Sequence, residues 1–99
     1  MAIQQTIDIV NRFYSAIDHL TNDGALHGTA TFTKRYGIDR RNFVLQRRQP
    51  ERMQFQAGWL TILVDDFGVS PDWLLTGNGD FYRKIGKLPA NINKASSQG

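Results

Sequence analysis

The 99-residue sequence predicts an all-α fold, a compact bundle of five helices, on three observations. Apolar residues recur at helical spacing in the first segment and again before residue 67, no stretch keeps up the alternation of a strand, and capping residues and glycines punctuate the intervals. A hydrophobic share of 40%, with 11% aromatic residues, is enough to build one core at this length without disulfides or metal.

Ile3, Ile7, Val10, Tyr14, Ile17 and Leu20 form one face of a first helix, widened by Phe13, with a polar residue at or before Thr6 expected as its cap. Asn22-Asp23-Gly24 is its stop, and residues 25–28 are a connection. A short second helix is predicted from Thr29 to Tyr36, with Phe32 and Tyr36 inward and Gly37 as the left-handed residue that ends it. Ile38 then plugs the core, and Asp39 caps a third helix over Arg40–Arg48, closed by Pro50. The spacing of Phe55, Trp59, Ile62, Leu63 and Phe67 predicts a fourth helix from Met53 or Gln54 to Phe67, ended by Gly68. Ser70-Pro71 opens a short fifth helix that stops at Gly77. The expected organisation is one domain over 1–82, followed by a basic, polar, flexible tail over 83–99.

The net charge of +3 is unevenly distributed. Residues 1–28 carry −2 and residues 53–80 carry −4, whereas Thr29–Arg52 carries +5 and the last 19 residues +4. A cationic segment between acidic ones presents a directed field to a polyanion. Cysteine is absent, which excludes disulfides, thiolate nucleophiles and cysteine-ligated zinc and suits a reducing compartment. No secretory layout opens the chain and no apolar run has the length of a membrane span, so a soluble, cytoplasmic protein with no membrane partner is expected.

Catalytic chemistry finds no constellation to carry it. His19 and His27 lie eight apart without a carboxylate set around them, and adjacent Asp65 and Asp66 point in different directions from a helix. Gly77-Asn78-Gly79 lacks the lysine of a phosphate loop and reads as a turn. The expectation is therefore no enzyme, no catalytic or metal site, no cofactor and no evident small-molecule ligand.

Between Thr29 and Arg48, local structure and charge point the same way. Two short helices around a glycine turn are the geometry that lays a second helix in the major groove of duplex DNA. Arg40, Arg41 and Asn42 fill the first turn of that helix, where arginine matches guanine O6 and N7 and asparagine matches adenine N6 and N7. Two arginines there also oppose the helix dipole, an arrangement that an anion would relieve.

The string Thr33-Lys-Arg-Tyr-Gly-Ile-Asp-Arg-Arg-Asn-Phe43, and more specifically Asp66-Phe-Gly-Val-Ser-Pro-Asp-Trp-Leu-Leu-Thr-Gly77, resembles the lambda-repressor-like, xenobiotic-response-element type of helix-turn-helix family. The resemblance covers about residues 6–80. It implies sequence-specific DNA binding, dimerisation and transcription regulation without a cofactor. Carried over by position, it assigns base reading to Arg40, Arg41 and Leu45 beside Asn42, and phosphate contact to Thr29; Thr31, Lys34 and Arg35 of the second helix are also expected on phosphates. Arg47, Arg48 and Arg52, at the helix end and in the loop beyond, are also expected on phosphates.

Trp73, Leu74, Phe81 and Tyr82 are expected to form an exposed apolar patch that a second copy completes. Leu45 stands where the family carries a polar residue and Gln46 where it carries an apolar one. That leaves three alternatives: a rotated third helix, a shifted one, or one that reads a thymine methyl through Val44 or Leu45. The rival function is a protein-interaction adaptor on the same scaffold that has lost base reading.

Overall fold

The structure, a computed structural model, describes residues 3–83. Five helices occur among them: α1 (Gln4–Asn22), α2 (Thr29–Arg35), α3 (Arg40–Arg48), α4 (Gly58–Phe67) and α5 (Pro71–Thr76). The only extended pairing there is an isolated antiparallel bridge between Val69 and Tyr82. Of the tail expected over 83–99, only Arg83 is described; its N–H donates to Gly68 O at 2.9 Å, and the remainder lies outside the described residues.

α1 is the axis of the bundle. Its apolar stripe buries Val10, Phe13, Tyr14, Ala16, Ile17 and Leu20, and it packs against both α3 and α5. The expected polar cap is missing: Ile3 occupies the N-cap with no side-chain hydrogen bond, and the first turn is held by backbone bonds to Ile3 O and by Gln4 Nε2 donating to Asp8 Oδ1 at 2.8 Å.

Phe13 sits at the centre with no solvent exposure. Its ring meets Phe55 at 5.2 Å, Phe43 at 5.9 Å, Trp59 at 6.0 Å and Phe32 at 6.3 Å between centroids, mostly edge to face. Such pairs contribute about 0.5–1.5 kcal/mol each beyond their buried area.

The residues on either side of Phe13 fix the neighbouring helices. Arg12 donates through Nε to Leu74 O and through Nη2 to Leu75 O, both at 2.9 Å, and so satisfies carbonyls that the short α5 leaves open at its end. Gly77 follows with φ 79°, and a Cβ there would stand 3.3 Å from Arg12 Nη1, so glycine keeps both the turn and the guanidinium's seat. Tyr14 donates its hydroxyl to Phe43 O in α3 at 2.7 Å, and burial pushes its pKa up.

α4 begins later than its apolar spacing predicts. Residues 53–57 lie outside any helix, and Phe55 reaches the core from that loop. Phe55 and Trp59 are four apart and so mimic a helical pair. The loop is instead held by Gln46, whose Oε1 accepts from Gln54 N at 3.0 Å and whose Nε2 donates to Pro50 O at 3.1 Å. Gln46 is 0% exposed. Its burial explains the pattern break in α3: the helix keeps its expected orientation, and the inward position is polar because its carboxamide organises the α3–α4 loop.

Replacing Gln46 with Ala removes the partners of the Gln54 N–H and the Pro50 carbonyl and opens a small cavity. A loss of about 2–4 kcal/mol in urea-unfolding free energy is expected, with the loop's amides exchanging fastest. A change below about 0.5 kcal/mol would show that the loop does not depend on this residue.

Candidate nucleic-acid interface

The α2–α3 unit is assembled by local chemistry. In α2, Phe32 is buried, and the buried Thr33 returns its hydroxyl to Thr29 O and Ala30 O. The helix then closes with two reversed bonds, Ile38 N to Thr33 O at 2.9 Å and Gly37 N to Lys34 O at 3.4 Å. This closure puts Gly37 at φ 67°, a conformation that costs glycine nothing and a branched residue a good deal. Asp39 caps α3 through both carboxylate oxygens, accepting from Arg41 N at 3.0 Å and Asn42 Nδ2 at 3.1 Å.

Tyr36, in the turn, donates to Asp66 Oδ2 at 2.7 Å and so moors the unit to the last turn of α4. Burial, followed by this hydrogen bond, raises its pKa. Arg35 lies over the Tyr36 and Phe67 rings at 5.3 and 6.0 Å.

α3 buries Phe43 and Gln46 and turns Arg40, Arg41, Val44, Leu45 and Arg48 outward, where they line one shallow, open groove. Among the described residues, none of these three arginines forms an ion pair. Arg40, Arg41 and Leu45 thus share a face. Asn42 leaves it: half-buried, it gives its amide to Asp39 and lines a different cleft, alongside Tyr36, Gln54 and Trp59.

The residues expected on phosphates divide. Thr31, Lys34, Arg35 and Arg48 are exposed, and Thr29 is half-buried. Arg47 instead forms a two-pronged ion pair with Asp18 of α1, its Nη1 3.0 Å from Oδ1 and its Nη2 on Oδ2, and lies 5.7 Å from the Tyr14 ring centroid. Arg52 is half-buried in the α3–α4 loop, with Nη1 donating to Gln49 Oε1 at 3.4 Å. Nothing in the sequence signals the Asp18–Arg47 pair, which joins residues 29 apart on different helices.

The expected apolar patch needs correcting. Leu74 is 1% exposed and belongs to the core, because α5 turns it toward α1 and α4; its neighbour Leu75 is 51% exposed. Leu75 lines a groove with Leu60, Val64 and Pro71 between α4 and α5. Trp73 and Phe81 are half-buried and pack against each other at 4.9 Å. Phe81 also stacks on the His19 ring at 4.0 Å. Tyr82, 40% exposed, donates to Asp23 Oδ2 at 2.6 Å, and His19 Nε2 approaches the same oxygen at 3.2 Å. These aromatics pin residues 81–83 to the end of α1.

His27 is exposed, and the described residues contain no cluster of three or more potential metal ligands. No described helix is long and apolar enough to cross a membrane. No protein-family model, curated protein or solved structure matches the chain.

The hydrogen bond to Asp23, with burial and the carboxylate's charge behind it, pushes the Tyr82 hydroxyl up to about 12. The pKa is raised on folding, so the latch is intact below the ordinary tyrosine value near 10 and is lost as pH rises from there through 12. Ultraviolet titration should find all three tyrosines ionising late, with Asp23→Asn returning one of them toward 10. An unchanged titration in that variant would show that Tyr82 is not held by Asp23.

Proposed function

We propose that this chain binds double-stranded DNA sequence-specifically, as a transcription regulator of the lambda-repressor-like helix-turn-helix kind, with α3 lying in the major groove. The observation that carries this reading is the outward face of α3. Three guanidinium groups without carboxylate partners surround two aliphatic side chains, on a helix whose first turn has two arginines and no acid. Cations in the first turn of a helix oppose its dipole by about 0.3–1 kcal/mol each, which phosphate or a guanine edge offsets on binding.

Arg40 and Arg41 are the base readers in this proposal. Arg48, Lys34, Arg35 and Thr31 hold phosphates, which fix register and supply affinity. Arg47 serves differently, since its bond to Asp18 sets the pose of α3 on α1. With three cationic phosphate contacts per protomer, log affinity should fall with log salt at a slope of about −2.7 per protomer. Arg40→Ala and Arg41→Ala should each cost about 1–3 kcal/mol on a selected duplex and much less on random DNA. Undetectable duplex binding at about 50 mM salt, or affinity indifferent to the double substitution, would sink the proposal.

The protein acts as a symmetric dimer whose recognition helices address half-sites about 34 Å apart. The second copy meets the α4–α5 groove at Leu75, the large apolar residue most exposed on those two helices. Leu75→Asp should move sedimentation equilibrium toward monomer and weaken operator binding while leaving unchanged the urea midpoint measured at a concentration where both chains are monomeric. A wild-type chain that stays monomeric at operator-binding concentrations would rule this contact out. The same groove favours a second reading, an adaptor that seats a helix of another protein there; that reading predicts no salt-dependent duplex binding.

A further inference from the structure

In the major groove adenine is identified by a carboxamide, whose oxygen and nitrogen match N6 and N7 together. α3 holds two carboxamides, and neither lines the outward groove. Asn42 Nδ2 donates to Asp39 Oδ2, while Gln46 uses its nitrogen on Pro50 O and its oxygen on Gln54 N–H. Gln49, beyond the helix end, accepts from Arg52. The exposed face is left with two chemistries only, guanidinium and aliphatic.

These chemistries interleave. Arg40 and Val44, Arg41 and Leu45, and Val44 and Arg48 are each four residues apart, the spacing that makes side chains neighbours on a helix surface. Val44 and Leu45 are half-buried yet line the open groove, so each offers a methyl-bearing tip between charged groups. The apolar feature that a major-groove base edge presents is the C5-methyl of thymine, and the bidentate match for guanidinium is guanine.

Resting on the DNA-binding reading above, we infer that α3 recognises pyrimidine C5-methyl groups through Val44 and Leu45, beside guanines held by Arg40 and Arg41. Its half-site is therefore built on adjoining thymine and guanine, and A·T pairs are identified from the thymine side.

The test begins with duplexes selected from a random pool by the full chain. Each half-site thymine is then replaced in turn by deoxyuridine, which deletes the methyl group and keeps the base pair. Burying one such group is worth about 0.8 kcal/mol, so one or two positions should show roughly fourfold weaker binding at fixed salt. At those positions Val44→Ala or Leu45→Ala should abolish the difference between thymine and uracil and leave the salt slope unchanged. Because the uracil exchange leaves the protein untouched, its result does not depend on how a variant folds. Tight binding that no uracil substitution weakens would overturn the methyl inference and leave DNA binding standing. Failure to select any duplex would instead overturn the DNA-binding reading, and this inference with it.

Discussion

Three consecutive residues of α1 hold the bundle together. Phe13 supplies the ring on which Phe32, Phe43, Phe55 and Trp59 converge, Arg12 takes the terminal carbonyls of α5, and Tyr14 takes the Phe43 carbonyl of α3. Successive residues on a helix point about 100° apart, so one turn of α1 addresses three directions at once. α2, α5 and α3 have 7, 6 and 9 residues, too short to persist alone in water, and each borrows its stability from this turn or from the aromatic centre.

That dependence settles how α3 stands. Phe43 is drawn inward by Phe13 and by the Tyr14 hydroxyl, Gln46 follows three residues later onto the same side, and Arg47 is held to Asp18. With those positions fixed, the remaining side chains have one way to face, and Arg40, Arg41, Val44, Leu45 and Arg48 become the outer surface. The composition of the candidate interface is thus a consequence of core packing. A change at Tyr14 or Gln46 would be felt on the outer face without touching it.

What could be read from the sequence divides along the range of the interactions involved. Gly37, Asp39, Ser70-Pro71 and Gly77 act on backbone groups within a few residues, and each stands in the role its local chemistry predicts. The third helix was legible for the same reason. The start of α4 was not, because Phe55 and Trp59 carry a helical spacing while Phe55 reaches the core from a loop that Gln46 organises from eight residues away. Leu74 and Leu75 are equally apolar, and the way α5 lies on α1 and α4 decides which goes inside. Asn42 showed its chemistry plainly but not its partner: the carboxamide that suits adenine suits the Asp39 carboxylate too, and the nearer group has it. At the candidate interface, then, sequence revealed the arginines and the turn, and structure determined which polar groups remain free to act.

The same accounting explains why the face is unusual in composition. An amide left exposed at Gln46 would have loosened the loop that brings Phe55 to Phe13, and the Asn42 amide is turned to the Asp39 carboxylate. The fold therefore turns both carboxamides of α3 away from the outward face. On the proposed reading, discrimination then falls to groups that the core does not need. Guanidinium heads keep their charge whatever their surroundings, and aliphatic tips require no partner to be satisfied. A recognition surface made of these two types can be rigid beneath and chemically spare above, because none of its outward atoms is also a structural hydrogen bond.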